Sequence, residues 1–423
     1  MRNVIDHLSE RGFIDAVTSE ELAKKTDQPI KLYIGFDPTA DSLHLGNLVG
    51  IMALAWFQRF GHTPVVILGG ATGRIGDPSG KSTERPLLSD ETINSNVLSI
   101  SKHFEKMLDF SVPNHPLIIN NNAWYSEISL VDFLRDVGKH FRLGTMLAKD
   151  SVKSRVSSEE GMSFTEFSYQ LLQSYDFHHL YKNHGVVLQM GGSDQWGNIT
   201  AGIEYVRKVA HQTVYGATFP LITRSDGKKF GKSEEGAIWL SSDKCSPFQF
   251  YQYLVRVADS DVIQLLRMLT FLELEEILSI EASMSQKDYE PNTAQKKLAA
   301  EVTRFVHGDE GLGLALKVTE AAAPGSSTEL NPAVLEQIAA DMPNATLKYA
   351  DVVGQKYVDI AVKVGLLSSK GEANRLIENG GAYLNNEKVT DTQLRFQESS
   401  VIGSKYILLA AGKKKKMLLT LEP

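Results

Sequence analysis

Short, densely apolar runs that end in glycine-rich turns alternate with stretches of helical spacing over the first half of the chain. KLYIGF (31–36), PVVIL (64–68) and VVLQM (186–190) read as buried strands. The first feeds a helix of mixed apolar spacing from His44 to Phe60. The second empties into the turn GGATGRIGDPSGK (69–81), and the third into GGSDQWGN (191–198) and a helix from Ile199. Repeated strand-to-helix units predict a Rossmann-like, doubly wound parallel sheet over 1–220, with ligands at the carboxyl ends of its strands. A lysine-rich loop segment follows over 221–247. Phe248–Leu272 and Ala294–Ala322 then carry helical periodicity with almost no strand signal, predicting an α-helical domain over 248–322. AAAPGSSTELNPAV is the most linker-like stretch, so 323–350 is expected as a linker and 351–423 as a small α+β module.

Composition narrows the class. With 42% hydrophobic and 22% charged residues the chain is an ordinary globular protein. A single cysteine, Cys245, excludes an internal disulfide and cysteine-pair zinc spacing. Val49–Phe57 is the longest obvious apolar run and is about half the ~20 residues a membrane helix needs. MRNVIDHLSERG has neither a signal-peptide core nor a transit-peptide bias, so a cytoplasmic location is expected. The net charge of -7 hides an asymmetry, because 345–423 holds 12 Lys/Arg against 8 Asp/Glu, or +4, and the remainder (32 against 43) is -11. This asymmetry suggests a basic module on an acidic body; its densest part, Lys413–Lys416, read alone, is more often a solvated face or tail than a binding site.

Candidate chemistry gathers at the strand ends. GFDPTADSLHLGN (35–47) lies between a strand and the helix it feeds, where unpaired N–H groups and the helix dipole attract anions. His44 with Gly46 beside it is a candidate phosphate seat; the same residues also fit a plain turn capped by Asp41 or Ser42. KKFGKS (228–233) offers lysines that could close over a triphosphate, and read alone it is a solvated charge run. In GGSDQWGN two glycines permit close backbone approach and Asp194 could accept from ribose hydroxyls; by itself it is a generic polar loop. Along SFTEFSYQLLQSYD (163–176), helical spacing puts Tyr169, Gln173 and Asp176 on one face among Phe164, Phe167, Leu171 and Leu172. Such a stripe faces either water or a ligand.

Taken together these segments, with FLRDVGKHF (133–141) and GGSDQWGNIT (191–200), resemble the tyrosyl-tRNA synthetase family of the bacterial and organellar type, a class I family, from Gly35 into the C-terminal module. GFDPTADSLHLGN resembles its HIGH segment and KFGKS its KMSKS segment. The resemblance implies an enzyme that activates L-tyrosine with ATP, releases pyrophosphate, and passes the tyrosine to the 3'-terminal adenosine of tRNA(Tyr). It implies Tyr33 and Asp176 at the substrate phenol, and Asp77, Tyr169 and Gln173 at its ammonium. Asn121 joins the same pocket, although NNNAW (120–124) departs from the family's NNYDW. Gln195 is implied near the reacting carboxylate, and Thr39, His44, Lys229 and Lys232 at the phosphates. Gly35, Asp37, Gly46, Gln189, Gly191, Gly192, Asp194, Phe230 and Ser233 complete the nucleotide site. Mg2+ is expected with ATP, without a dedicated protein metal site. Asn47 stands where many members have the second histidine of HIGH; an amide can still donate one hydrogen bond, so activity with a different pH response is expected.

Val358–Val389 resembles an S4 RNA-binding domain, which implies a basic face of Lys356, Lys363, Lys370 and Arg375 toward the tRNA. A homodimer is implied, with no membrane or DNA partner. Other readings are a tryptophan-tRNA ligase, a synthetase-derived RNA-binding or splicing-assistance protein, and a small nucleotidyltransferase. The Tyr33 and Asp176 pair and the S4-like module count against the first. His44 with Lys229 and Lys232 counts against a purely non-catalytic role, and the lysine-rich loop against the last.

Overall fold

The computed structural model describes residues 3–81, 87–157, 161–227, 230–233, 236–321, 323, 325, 330–339, 342–412 and 415–423. Six strands form the first sheet: β1 (Ala16–Val17), β2 (Lys31–Phe36), β3 (Thr63–Leu68), β4 (Leu117–Asn120), β5 (Val186–Gly192) and β6 (Tyr215–Phe219). Their spatial order is β1-β6-β5-β2-β3-β4, all parallel except the edge strand β1. Parallel strands covered on both faces carry continuous apolar runs rather than alternation, and in β3 every residue after Thr63 is buried. The helix Leu48–Arg59 buries eleven of its twelve residues, which explains its mixed apolar spacing. Strand order reverses between β2 and β5, so their carboxyl ends flank the switch point where open α/β sheets hold ligands.

Chain contacts divide the protein into two units, 1–245 with 254–306, and 246–253 with 307–423. The helices of 248–322 are shared between them. Asp259–Leu269 and Leu274–Ser283 belong to the first, while Thr293–Ala321 is broken at Gly308, whose φ of 75° and ψ of 178° end the helical path beside the unit boundary. A left-handed φ without side-chain cost is what glycine supplies at such a break.

The second unit is built on a five-stranded sheet, in which β7 (Lys232–Ser233) and β8 (Gly236–Ala237) of the first unit take no part. Its strands are β9 (Asn344–Lys348), β10 (Ala382–Leu384), β11 (Glu387–Lys388), β12 (Tyr406–Ala411) and β13 (Lys415–Glu422), in the order β11-β10-β12-β13-β9. The helices Tyr357–Lys363 and Lys370–Glu378 pack on it around Tyr357, Ile360, Ile377, Ile407 and Leu419. The stretch 323–350, expected as a linker, holds the helix Pro332–Ala339 and the strand β9, which pairs in parallel with β13. Turn-forming residues at 324–327 concealed elements whose apolar side chains, such as Leu335, are buried by tertiary packing.

Candidate active site

Strand ends and one long helix bring the carboxylates of Asp37, Asp77 and Asp176 into two adjoining hydrogen-bond sets. Tyr33 lies on β2 and Asp37 just beyond it; Asn121 follows β4; Gln195 follows β5. The helix Phe164–His184 turns its polar stripe toward them, not toward water: Tyr169 and Asp176 are buried. Tyr169 donates its hydroxyl to Asp37 Oδ2 at 2.9 Å. The Thr72 hydroxyl donates to Asp37 Oδ1 at 2.8 Å and accepts from Asn121 Nδ2 at 3.0 Å. Asn121 Nδ2 also donates to Asp176 Oδ2 at 3.1 Å, and Trp124 Nε1 donates to Asp176 Oδ1 at 2.9 Å. The half-buried Asp37 and the buried Asp176 are therefore joined by one chain of hydrogen bonds, which supplies the partners that a carboxylate withdrawn from water requires. Gly69 makes room for it, since a Cβ there would lie 2.0 Å from Asp37 Oδ1.

Asp77 sits in a second, adjoining set. Gln195 Nε2 donates to its Oδ2 at 2.6 Å, Asn198 Nδ2 to its Oδ1 at 3.3 Å, and Gln173 Nε2 to Gln195 Oε1 at 3.3 Å. Asp77, Gln173 and Gln195 thus form one group, while Tyr169 belongs to the Asp37 group. Several buried atoms lack a protein partner: the Tyr33 hydroxyl, Gln173 Oε1 and Gln189 Oε1. Burial raises the Tyr33 hydroxyl well above the usual phenol range, and the Asp176 charge adds to that. Burial also pushes Asp176 up to about 7, against the opposing hydrogen bonds from Asn121 and Trp124.

The phosphate-side candidates sit on backbone. His44 caps the helical turn Leu45–Asn47: its Nδ1 accepts from the Gly46 N–H at 3.1 Å, and Asn47 Oδ1 accepts from the His44 N–H at 3.1 Å. This reciprocal pair takes the cap that Asp41 or Ser42 could have supplied, and commits the Asn47 oxygen to the turn. Thr39 lies in the preceding turn, with its N–H on Asp37 O at 2.9 Å, on the wall of a groove of about 570 Å3 that also touches Asp41 and Asn96. Phe230 is buried, and the neighbouring Gly231, at φ +83°, faces the Gly46 amide so closely that a Cβ would meet it at 3.0 Å. Lys232 and Ser233 form β7, paired antiparallel with β8. Lys229 lies outside the described residues, as do the side chains of Lys232 and Ser233. Gly35 is exposed with open space on its Cα, and Gly191, Gly192 and Asp194 line the end of β5.

Trp124, Thr72 and Asn198 are the site residues that sequence reasoning did not single out. All three lie in segments already marked by glycine turns or by NNNAW, so a polar or indole side chain within a strand-end turn was the available signal. In the second unit Lys370 pairs with Asp359 at 2.6 Å, Lys363 with Asp351 at 3.6 Å, and Lys356 Nζ donates to Gln393 Oε1 at 2.5 Å. Arg375 is exposed. Three of these four cations thus have side-chain partners, two of them carboxylates.

Residues 24–323 match the family model described as tRNA synthetases class I (W and Y), and 334–419 match the tyrosine–tRNA ligase SYY-like C-terminal domain. The chain is 61% identical to the tyrosine–tRNA ligase of Protochlamydia amoebophila over 100% of this chain and 99% of that one. It is 52% identical to the chloroplastic/mitochondrial tyrosine–tRNA ligase of Arabidopsis thaliana, over 98% of this chain and 83% of the relative. The crystal structure of a C-terminally truncated mitochondrial tyrosyl-tRNA synthetase from Aspergillus nidulans superposes with a TM-score of 0.68 at 33% identity, covering 74% of this chain and 92% of that chain. This chain belongs to the tyrosine–tRNA ligase family of class I tRNA synthetases.

Proposed function

We propose that this protein activates L-tyrosine with ATP to tyrosyl-adenylate and pyrophosphate, then esterifies the tyrosine to the 3'-terminal adenosine of tRNA(Tyr). The observation that carries the tyrosine reading is the buried, unpartnered Tyr33 hydroxyl beside the buried Asp176 carboxylate. A substrate phenol between them donates to Asp176 and accepts from Tyr33. Phenylalanine leaves both unsatisfied, and a buried polar group without a partner costs about 1–3 kcal/mol. Asp77 and Gln173, with the Tyr169 hydroxyl, take the ammonium, and Gln195 stands at the reacting carboxylate.

The carboxylate attacks the α-phosphorus of ATP and pyrophosphate leaves, so no protein nucleophile is needed. Catalysis rests on placing the reactants and stabilising charge on the phosphate. His44, Thr39, Lys229 and Lys232 contact the phosphates, Asn47 supports the His44 turn, and Asp37, Gln189 and Asp194 with the glycines of β5 hold the nucleotide. Mg2+ arrives with the ATP phosphates. The module at 351–423 acts as an S4-like platform in which Lys356, Lys363, Lys370 and Arg375 meet tRNA phosphates.

The protein acts as a homodimer. Support comes from exposed apolar side chains on consecutive segments, Leu130, Val131, Leu134, Leu143, Leu147 and Phe164, the last 76% exposed. The proposed location of the reaction is the cytoplasm. Among the described residues no helix is long and apolar enough to cross a membrane.

The test is amino-acid-dependent exchange of labelled pyrophosphate into ATP with tyrosine, phenylalanine or tryptophan and no RNA. Exchange with tyrosine alone is expected. Exchange with tryptophan instead, or with none, overturns the reading.

A further inference from the structure

Ser42, released from helix capping by His44 and Asn47, is buried at the centre of a different set of bonds. Its Oγ donates to Leu43 O at 2.8 Å, accepts from the Ser241 N–H at 3.1 Å, and lies 3.2 Å from His103 Nε2 on the helix Asp90–Met107. A hydroxyl has one hydrogen and two lone pairs. Leu43 O can only accept and Ser241 N can only donate, so satisfying all three assigns the hydrogen to Leu43 and makes His103 the Nε2–H donor.

Ser241 follows the stretch Ile238–Leu240, which pairs antiparallel with Leu43–Leu45. Leu45 N–H donates to Ile238 O at 2.8 Å, Leu240 N–H donates to Leu43 O at 2.8 Å, and His44 bridges Trp239. Further along, Lys244 pairs with Asp41 at 2.8 Å, at a more exposed position that contributes little. The same register puts Gly231 against the Gly46 amide.

We propose that Ser42 and His103 are positioning residues for the nucleotide: they lock the stem of the loop after Phe230 onto the His44 turn, so that both phosphate-contacting segments share one fixed geometry. This rests on the reading above that these two segments hold the ATP phosphates. Neither residue touches the tyrosine pocket, so the effect is confined to ATP.

The experiment compares full-length wild type with Ser42→Ala, His103→Leu, His103→Gln and the double variant Ser42→Ala/His103→Leu. Tyrosine-dependent pyrophosphate exchange gives KM for ATP and kcat, and equilibrium dialysis of labelled tyrosine without ATP reports both folding and the tyrosine site. Ser42→Ala and His103→Leu are expected to raise KM for ATP about tenfold, the factor that corresponds to ~1.4 kcal/mol, with tyrosine affinity unchanged. His103→Gln, whose amide can supply the N–H, recovers most of the loss, and the double variant is no worse than the worse single one. The proposal is overturned by an ATP KM within twofold of wild type in both single variants, by tyrosine affinity falling in step with ATP, or by His103→Gln being as defective as His103→Leu. Should Ser42→Ala fail to fold, the two His103 variants carry the same decision. Absence of exchange in the wild type is a separate result and counts against the functional reading instead.

Discussion

The two halves of the site are held by different forces. In the proposed amino-acid pocket, side chains from three strand ends and one helix satisfy two carboxylates through a connected hydrogen-bond set, from Asp37 through Thr72 and Asn121 to Asp176. On the proposed phosphate side the order comes from bonds that hold main chain: the His44 and Asn47 side chains on the N–H groups of their turn, the backbone pairing of 43–45 with 238–240, and the approach of Gly231 to Gly46. A neutral ring read by shape and hydrogen bonds needs dry, prearranged partners. A highly charged, hydrated phosphate needs backbone N–H groups and cations at a helix start.

That contrast can be broken in order of expected effect. Asp176→Ala should lower kcat/KM for tyrosine by about 10²-fold, because it removes a charged acceptor and orphans Asn121 and Trp124; steady-state exchange kinetics should show KM for ATP almost unmoved, and an equal rise in both would merge the two halves. Gly231→Ala should do the opposite. Left-handed φ costs a side chain roughly 1–2 kcal/mol, so KM for ATP should rise about tenfold while dialysis shows normal tyrosine binding.

Tyr33→Phe should reduce the preference for tyrosine over phenylalanine about tenfold, with an unchanged or slightly higher melting temperature, since the hydroxyl has no protein partner to lose. The Asp176 carboxyl supplies a pH test of the same pocket. Its folded value of about 7 lies above the ~3.9 of an unfolded aspartate, so the folded state holds the extra proton between them. The contribution of this group to stability is therefore greatest below about 4 and is lost as pH rises to about 7. Tyrosine, which donates its phenol to the ionised form, should bind several-fold more tightly at pH 8 than at pH 6. Titration calorimetry in two buffers should detect proton release near neutrality, and Asp176→Asn should abolish it. Lys370→Ala should have the smallest effect: its ammonium already pairs with exposed Asp359, so aminoacylation assays should show KM for tRNA rising about two- to threefold at low salt, and less at high salt.

Much of this arrangement was legible along the chain. Apolar runs ending in glycine located β2, β3 and β5, and offsets of three and four residues put Tyr169, Gln173 and Asp176 on one helix face. Direction was not legible, because periodicity is the same whether a polar stripe meets water or a carboxylate. Trp124 looked like an ordinary aromatic after β4, and its role depends on a helix some fifty residues further on, reached at 2.9 Å. Ser42 read as a cap until His44 and Asn47 took that position, and the partners that define it, His103 and Ser241, are remote in sequence. The stretch 323–350 read as a linker because Pro and Gly dominate its start, while its strand exists only through pairing with β13.

By itself, the sequence determined the strands β2, β3 and β5 with the helices that follow β2 and β5, the gathering of candidate chemistry at their glycine-rich ends, and which family of chains it resembles, because these follow from local spacing and residue type. Only the tertiary structure decided which polar groups are buried together, which of them are left without a partner, and which backbone registers bring two remote segments into one site. Burial and pairing depend on neighbours that lie tens or hundreds of residues away, and a hydrogen bond is set by distances between atoms rather than by positions along a chain.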